Sequence, residues 1–417
     1  MTTKLLLFIA LLAVASAAGA QTPGAPVNVS DSAGLSSSPA AVTDATGTIH
    51  VAWTDSADAE DPSEQYVLYA RSFDGGASFE PPRQVSAPAG ASMRSARQVR
   101  LVADRSGEVQ LAWWDTTVDG SGRRFATAFV ATSRDGGRSL GQPVQTTLRF
   151  REDVAPKEGF TNLTSLSLAT GPAGQIYLLA TVQDYYHGFN VYFCRSANGT
   201  TFAKPVRVSN YTGTIPRAAA NALTVLPRGE IYALWTESNG DFVDEIKNNY
   251  FVSSSDGGRT FSAPLRVANA RGVAGALSSE DGSVRLLTQF QNGPRADHAI
   301  RLYTSDDDGR SFPRRARIGI AASNSHLNQA SIASNPNGVI AVAWVENSSR
   351  PGPSEGIYVA VSTDGGRSFG SPELVAEGIF PDPPAVTVDT AGRIGVVYVS
   401  SALSAVDREV LFAVVAR

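Results

Sequence analysis

The stretch Ser254-Ser255-Asp256-Gly257-Gly258-Arg259-Thr260-Phe261 decides the fold, because it is one of six copies of a single turn. The others are SFDGGASF from Ser72, SRDGGRSL from Ser133, SANGTTF from Ser196, SDDDGRSF from Ser305 and STDGGRSF from Ser362. Their third positions, Asp74, Asp135, Asn198, Asp256, Asp307 and Asp364, are 61, 63, 58, 51 and 57 residues apart. That period suits one four-stranded blade of a β-propeller per copy. Each copy follows a β-rich run such as YVLYA, FATAFVA or IYVAV and precedes a shorter one such as RQVSA or PLRVA, so it is a hairpin turn. The residue types fit that role: Asp or Asn accepts backbone N–H bonds, Gly supplies positive φ, and the closing Phe folds back between strands.

A second mark recurs seven times. A Gly turn joins two short apolar strands at Asp44 to Gly47, Asp104 to Gly107, Thr170 to Gly174, Pro227 to Gly229, Glu280 to Gly282, Asn335 to Gly338 and Asp389 to Gly392. Strands reading IHVAWTD, VQLAWWD, IYALWTE or VIAVAWVE follow. With a blade running strand 1, Gly turn, strand 2, loop, strand 3, hairpin turn, strand 4, the last unit has only PAVTVD, RIGVVYVS and EVLFAVV. The segment Pro26-Val27-Asn28-Val29-Ser30, ahead of the first strand 1, fills the missing place. An all-β, seven-bladed propeller of four-stranded antiparallel blades, closed by an N-terminal strand in the last blade, therefore predicts six hairpin copies. A six-bladed ring leaves a surplus triple of strands and is the alternative.

The six turns resemble the Asp-box, or bacterial neuraminidase repeat, S-x-D-x-G-x-x-F/W. As spacing the resemblance covers nearly the whole mature chain; as residue identity it covers the turns alone. It implies a sialidase-like propeller, a single domain over residues 21–417, with the boxes on the face opposite the active site. It also implies an exo-α-sialidase or another glycoside hydrolase as the enzymatic alternative. Sialidases carry an arginine triad, an F/Y-R-I-P signature, an Asp acid and a Tyr-Glu nucleophile pair. Here the first strand 1, SSSPAAVTD, has no arginine, and Thr214-Ile215-Pro216-Arg217 has the order wrong and lies mid-ring. Whether the chain is catalytic stays open on these residues.

Strand polarity places the ends of strands 2 and the entrances to strands 1 on the face away from the boxes. Asp55, Asp115, Asp184, Glu237 and Glu346 fall at strand 2 ends, an expected carboxylate-rich rim. Alternation sets Trp53 with Asp55, Trp113 with Asp115, Trp235 with Glu237 and Trp344 with Glu346, while Trp114 has the other parity. The four paired indoles read as core between blades, given the area each buries. Carboxylates across a cleft are the chemistry of glycoside hydrolysis, so Asp115 and Glu237 with Tyr211 are the candidate catalytic set. Asp55, Asp184, Glu346, Arg97, Arg217 and His326 are the candidate ligand-binding set, an arginine being suited to an anionic sugar. The plain alternative for each is an ordinary rim or loop residue.

Composition bounds the rest. With 417 residues, 42% hydrophobic, 18% charged and a formal net charge of −4, the chain can bury a large core and lacks the basic excess that nucleic acid demands. Lys4 followed by the apolar run Leu5 to Ala15 and then Ala18-Gly19-Ala20 reads as a signal peptide over residues 1–20, predicting a secreted or periplasmic protein with no membrane span. Only four of the 35 basic residues are lysine, a bias that suggests a bacterial GC-rich coding sequence. No metal site or cofactor is expected: His50, His187, His298 and His326 lack zinc spacing, and Asp55 to Asp61 is only a loose calcium pattern. The single Cys194, in the strand VYFCRS, reads as a buried small residue. The expected partner is a glycan or glycoconjugate, with a protein ligand and a bare scaffold as alternatives, and the expected state is a monomer.

Overall fold

The computed structural model describes residues 25–32, 34–56, 64–86, 95–104, 106–151, 161–184, 188–209, 217–238, 247–267, 274–278, 283–290, 299–320, 325–348, 355–378, 380–404 and 407–415. They form seven four-stranded antiparallel sheets, each a consecutive meander except the last. Blade 1, for example, runs Ser37–Thr43, Ile49–Ser56, Gln65–Ser72 and Arg83–Gln84, and blade 2 runs Arg97–Ala103, Val109–Val118, Arg124–Ser133 and Val144–Arg151. The seven-bladed ring is observed and the six-bladed alternative is set aside. In the last sheet Val27–Asn28 pairs with Asp407–Val415, through Val27 opposite Phe412 and Asn28 opposite Leu411. The backbone N–H of Val29 extends the pairing to Val410 O at 2.8 Å. The ring therefore closes by joining its two chain ends within one sheet.

Second strands are buried over most of their described length, as Ile49–Ser56 illustrates at all eight positions, because each lies between two neighbouring sheets. The apolar clusters consequently span blades. One joins Val67 and Tyr69 of blade 1 to Leu111, Trp113 and Phe129 of blade 2, and another joins Val51 and Trp53 of blade 1 to Val397, Val399 and Phe412 of blade 7. Trp53, Trp113, Trp235 and Trp344 are fully buried, in keeping with their expected core role. Each indole removes roughly 200 Å² from water, on the order of 5 kcal/mol of transfer free energy. Cys194 is likewise buried, with its thiol 3.1 Å from Thr147 Oγ1.

The hairpin turns are joints between blades. In the turn at Ser254, the Thr260 hydroxyl and N–H donate to Asp256 at 2.6 and 3.0 Å, and the Gly258 N–H donates to Ser254 Oγ at 2.9 Å. Gly258 has φ +78, and a Cβ placed on it meets the ring of Phe193, in the preceding blade, at 2.2 Å. Only glycine satisfies both demands. Phe261 then packs edge-on against the same Phe193 ring, centroids 4.9 Å apart, and Phe312 and Phe79 repeat the contact on Phe251 and Phe412 at 5.3 Å. The recurring Phe is thus half-buried at a seam rather than inside its own hairpin.

Candidate functional site

On the face opposite the boxes, four of the five expected acids have described side chains, and none forms a solvated rim. Asp55, Asp115, Glu237 and Glu346 are buried, exposing 2–7% of their surface. Burial corrects the sequence expectation: strand 2 ends inside the ring wall, where the incoming segment to strand 1 lies across it. Asp55 accepts hydroxyl bonds from Ser36 at 2.6 Å and Ser32 at 2.9 Å, and the Trp53 indole N–H at 3.1 Å. Asp115 accepts the backbone N–H groups of Ser95 at 2.9 Å and Thr116 at 2.7 Å. Glu237 accepts the Trp235 indole N–H at 2.7 Å. Desolvation dominates all three: it pushes Asp115 up to about 6 against those N–H bonds and the charge of Arg97, and raises Asp55 and Glu237 against theirs.

Asp55 and Asp115 hold the entrances of blades 1 and 2 in place, and strand 1 entrances are irregular in five blades. Pairing of strand 1 with strand 2 slips between Ser37 and Ala40, between Arg97 and Arg100, between Leu163 and Ser165, between Ala219 and Asn221 and between Asn328 and Ser331. One extra residue on strand 1 makes each a β-bulge, which re-aims side chains and sits preferentially beside sites. In blades 1 and 2 the bulge holds Ser38 at φ +54 and Gln98 at φ +53, left-handed values rare outside glycine.

The bulges of blades 1, 2 and 3 wall an open cavity of about 460 Å³, lined by Ser37, Ser38, Thr54, Gln65, Arg97, Gln98, Trp114, Leu163 and Thr164. That volume is typical of small-molecule sites. Arg97 is exposed at the first position of its strand, its guanidinium 5.5 Å over the Trp114 ring. Gln98 donates its amide to Thr164 O at 2.7 Å and so ties blade 2 to blade 3, while the Ser37 and Thr54 hydroxyls lie 2.8 Å apart. Trp114 faces the cavity because it precedes Asp115 on the strand and points the opposite way.

Of the residues singled out from sequence, then, Arg97 lines the cavity, and Asp55 and Asp115 lie behind its wall. Glu237 and Glu346 serve blades 4 and 6. Arg217 and His326 belong to strands 1 of blades 4 and 6, paired with Ser238 and Asn347, two residues before Ala219 and Asn328, the counterparts of Arg97. Asp184 closes strand 2 of blade 3, opposite Gly188; the side chains of these three lie outside the described residues. Tyr211, residues 57–61 of the loose calcium pattern and residues 1–20 also lie outside them. Among the described residues no group of three or more His, Cys, Asp or Glu is placed to hold a metal ion, and no helix is long and apolar enough to cross a membrane. Sequence reasoning missed Gln98, Ser38 and Thr164; the odd parity of Trp114 was the one signal toward them.

No family model matches the sequence, and no curated protein does either. Among solved structures, an α-L-arabinofuranosidase from Fusarium graminearum aligns with 13% identity and a TM-score of 0.54, over 94% of this chain and 98% of that one. An α-L-arabinanase from Penicillium chrysogenum, complexed with arabinobiose, aligns with 15% identity and a TM-score of 0.51, over 82% of this chain and 99% of that one. A Hadza microbial sialidase aligns with 15% identity and a TM-score of 0.48, over 91% of this chain and 65% of that one. At such identities the likeness is one of fold.

Proposed function

We propose that this chain is an exported, sialidase-like propeller that recognises a carbohydrate in the cavity of blades 1 to 3 and does not hydrolyse it. The observation that carries this is the composition of the cavity wall: a guanidinium over an indole, an amide and several hydroxyls, with no carboxylate among the described lining residues. Hydrolysis of a glycosidic bond uses two carboxylates flanking the bond. The acids nearest this wall, Asp55 and Asp115, are engaged from behind by the serines of their own entrance segments. Structural likeness to carbohydrate-active propellers fits this choice of ligand class, though it speaks to fold. Removal of a leader over residues 1–20 is part of the proposal; mass spectrometry of protein recovered from the periplasm or medium, expected to begin at Gln21, checks it.

One observation favours a second reading as a glycoside hydrolase: Asp115, at about 6, sits in the range of a general acid beside Arg97. A panel of fluorogenic α-sialosides and α-L-arabinofuranosides, run beside a glycan-binding screen, separates the two. Binding without turnover, weakened by Arg97→Ala, supports recognition. Turnover abolished by Asp115→Asn in a folded variant overturns it in favour of the hydrolase.

A further inference from the structure

We propose that the cavity takes a saccharide whose ring bears a carboxylate flanked by hydroxyls, the chemistry of a hexuronate, with Arg97 holding the anion and Gln98 and Trp114 engaging the hydroxyls. The proposal rests on the carbohydrate-recognition reading and adds the ligand's charge and the residues that select it. Two buried polar atoms of lining residues lack a partner: the indole N–H of Trp114, a side chain 6% exposed, and the amide oxygen of Gln98. The bond from Gln98 Nε2 to Thr164 O, at 2.7 Å, leaves the oxygen as the free end of that amide. The lining residues thus carry an unused donor and an unused acceptor, and hydroxyls are ligand groups able to pair with either. Leaving such groups unpaired in the interior is costly, and a ligand that pairs them recovers the cost.

Arg97 supplies the charge. Its guanidinium is exposed and stacks on Trp114, and the nearby Asp115 carboxylate takes its hydrogen bonds from Ser95 and Thr116 instead. A planar fork with open N–H groups matches a carboxylate bidentately. The backbone is committed to the same place. Four non-glycine residues have left-handed φ among the described residues; Asp31 and Asp308 are loop acids, which tolerate it, and Ser38 and Gln98 both line this cavity. Conformations of this kind persist where surrounding structure enforces them, and they cluster at ligand sites. Here the enforcement is visible, since Asp55 holds Ser36 two residues before Ser38 and Asp115 holds Ser95 three before Gln98.

Isothermal titration of the full mature chain with hexuronate oligosaccharides, their neutral hexose counterparts, acetate and sulfate tests this. Variants are Arg97→Ala, Trp114→Phe, which keeps an aromatic ring but deletes the N–H along with the rest of the indole's five-membered ring, and Gln98→Asn, which shortens the amide with a residue at ease at positive φ. The hexuronate should bind about tenfold or more tighter than its neutral counterpart, and Arg97→Ala should erase that preference. Gln98→Asn and Trp114→Phe should each weaken both sugars about threefold to tenfold. Equal binding of acidic and neutral sugars, unmoved by Arg97→Ala, overturns the carboxylate assignment and leaves carbohydrate recognition standing. Acetate or sulfate binding as tightly as the hexuronate overturns it too, as a bare anion site. Failure of every saccharide sinks the recognition reading itself. If Trp114→Phe does not fold, Arg97→Ala and Gln98→Asn decide the matter.

Discussion

On the box face Asp256 lies at the surface and takes the hydroxyl and N–H of Thr260 and the hydroxyl of Ser254, bonds that hold its carboxyl below the usual range. Asp74, Asp135 and Asp364 repeat this, and Asp307 falls to about 2. Across the ring Asp115 also accepts N–H bonds, yet burial pushes it up to about 6. Hydrogen bonding to the charged form wins where water still solvates the group, and desolvation wins where it does not. The two faces therefore use one residue type for different ends. Box aspartates shape a turn that seats one blade on its neighbour, and on the opposite face Asp55 and Asp115 hold strained entrance segments whose side chains wall the cavity.

The largest expected effect tests the seam side of that contrast. Gly258→Ala puts a methyl group onto Phe193 at a left-handed φ, so it should cost about 3–5 kcal/mol in urea unfolding. A loss below about 1 kcal/mol would mean the seam relaxes freely and the box is an ordinary turn.

Next comes the pH dependence of Asp115. Its folded value, about 6, lies above the value of about 3.9 for an unfolded aspartate. Its contribution is therefore fully present below about pH 4 and is lost as pH rises through about 6. Wild type should gain about 2–3 kcal/mol over Asp115→Asn between pH 7 and pH 4, read from urea melts at each pH. The box aspartates run the other way, their contribution present above about pH 4 and lost on acidification. A parallel pH course for wild type and Asp115→Asn would erase the distinction between the faces.

Phe261→Ala should cost about 2 kcal/mol, less than a fully buried phenylalanine, because the ring is half-buried against Phe193. Ligand affinity in the cavity should not change, and a loss of binding in the folded variant would link the two faces. Smallest of all, Asp256→Asn should leave the urea midpoint nearly unmoved while Asp256→Ala lowers it. Asn198 already does this work in its own box, accepting the N–H groups of Thr200 and Thr201 at 3.0 and 2.9 Å.

The ring was legible in the chain because its causes are local. Each repeated hairpin turn is written in seven or eight residues, each Gly turn marks a strand pair, and the shortfall of one hairpin copy against seven Gly turns foretold that Val27 and Asn28 complete the last sheet. The core role of Trp53, Trp113, Trp235 and Trp344 followed from alternation along single strands. The carboxylates were legible as positions but not as environments: nothing in the strand 2 ends says that Ser32, Ser36 and Ser95 will lie across Asp55 and Asp115 and shut water out. The cavity was invisible for the same reason. It exists because three bulges from three blades meet, and a bulge is a mismatch between two paired strands that neither strand's sequence records alone. Periodicity within one strand thus determined the architecture, whereas the placing of Arg97, Gln98 and Trp114 in one wall was decided only by the packing of segments distant along the chain.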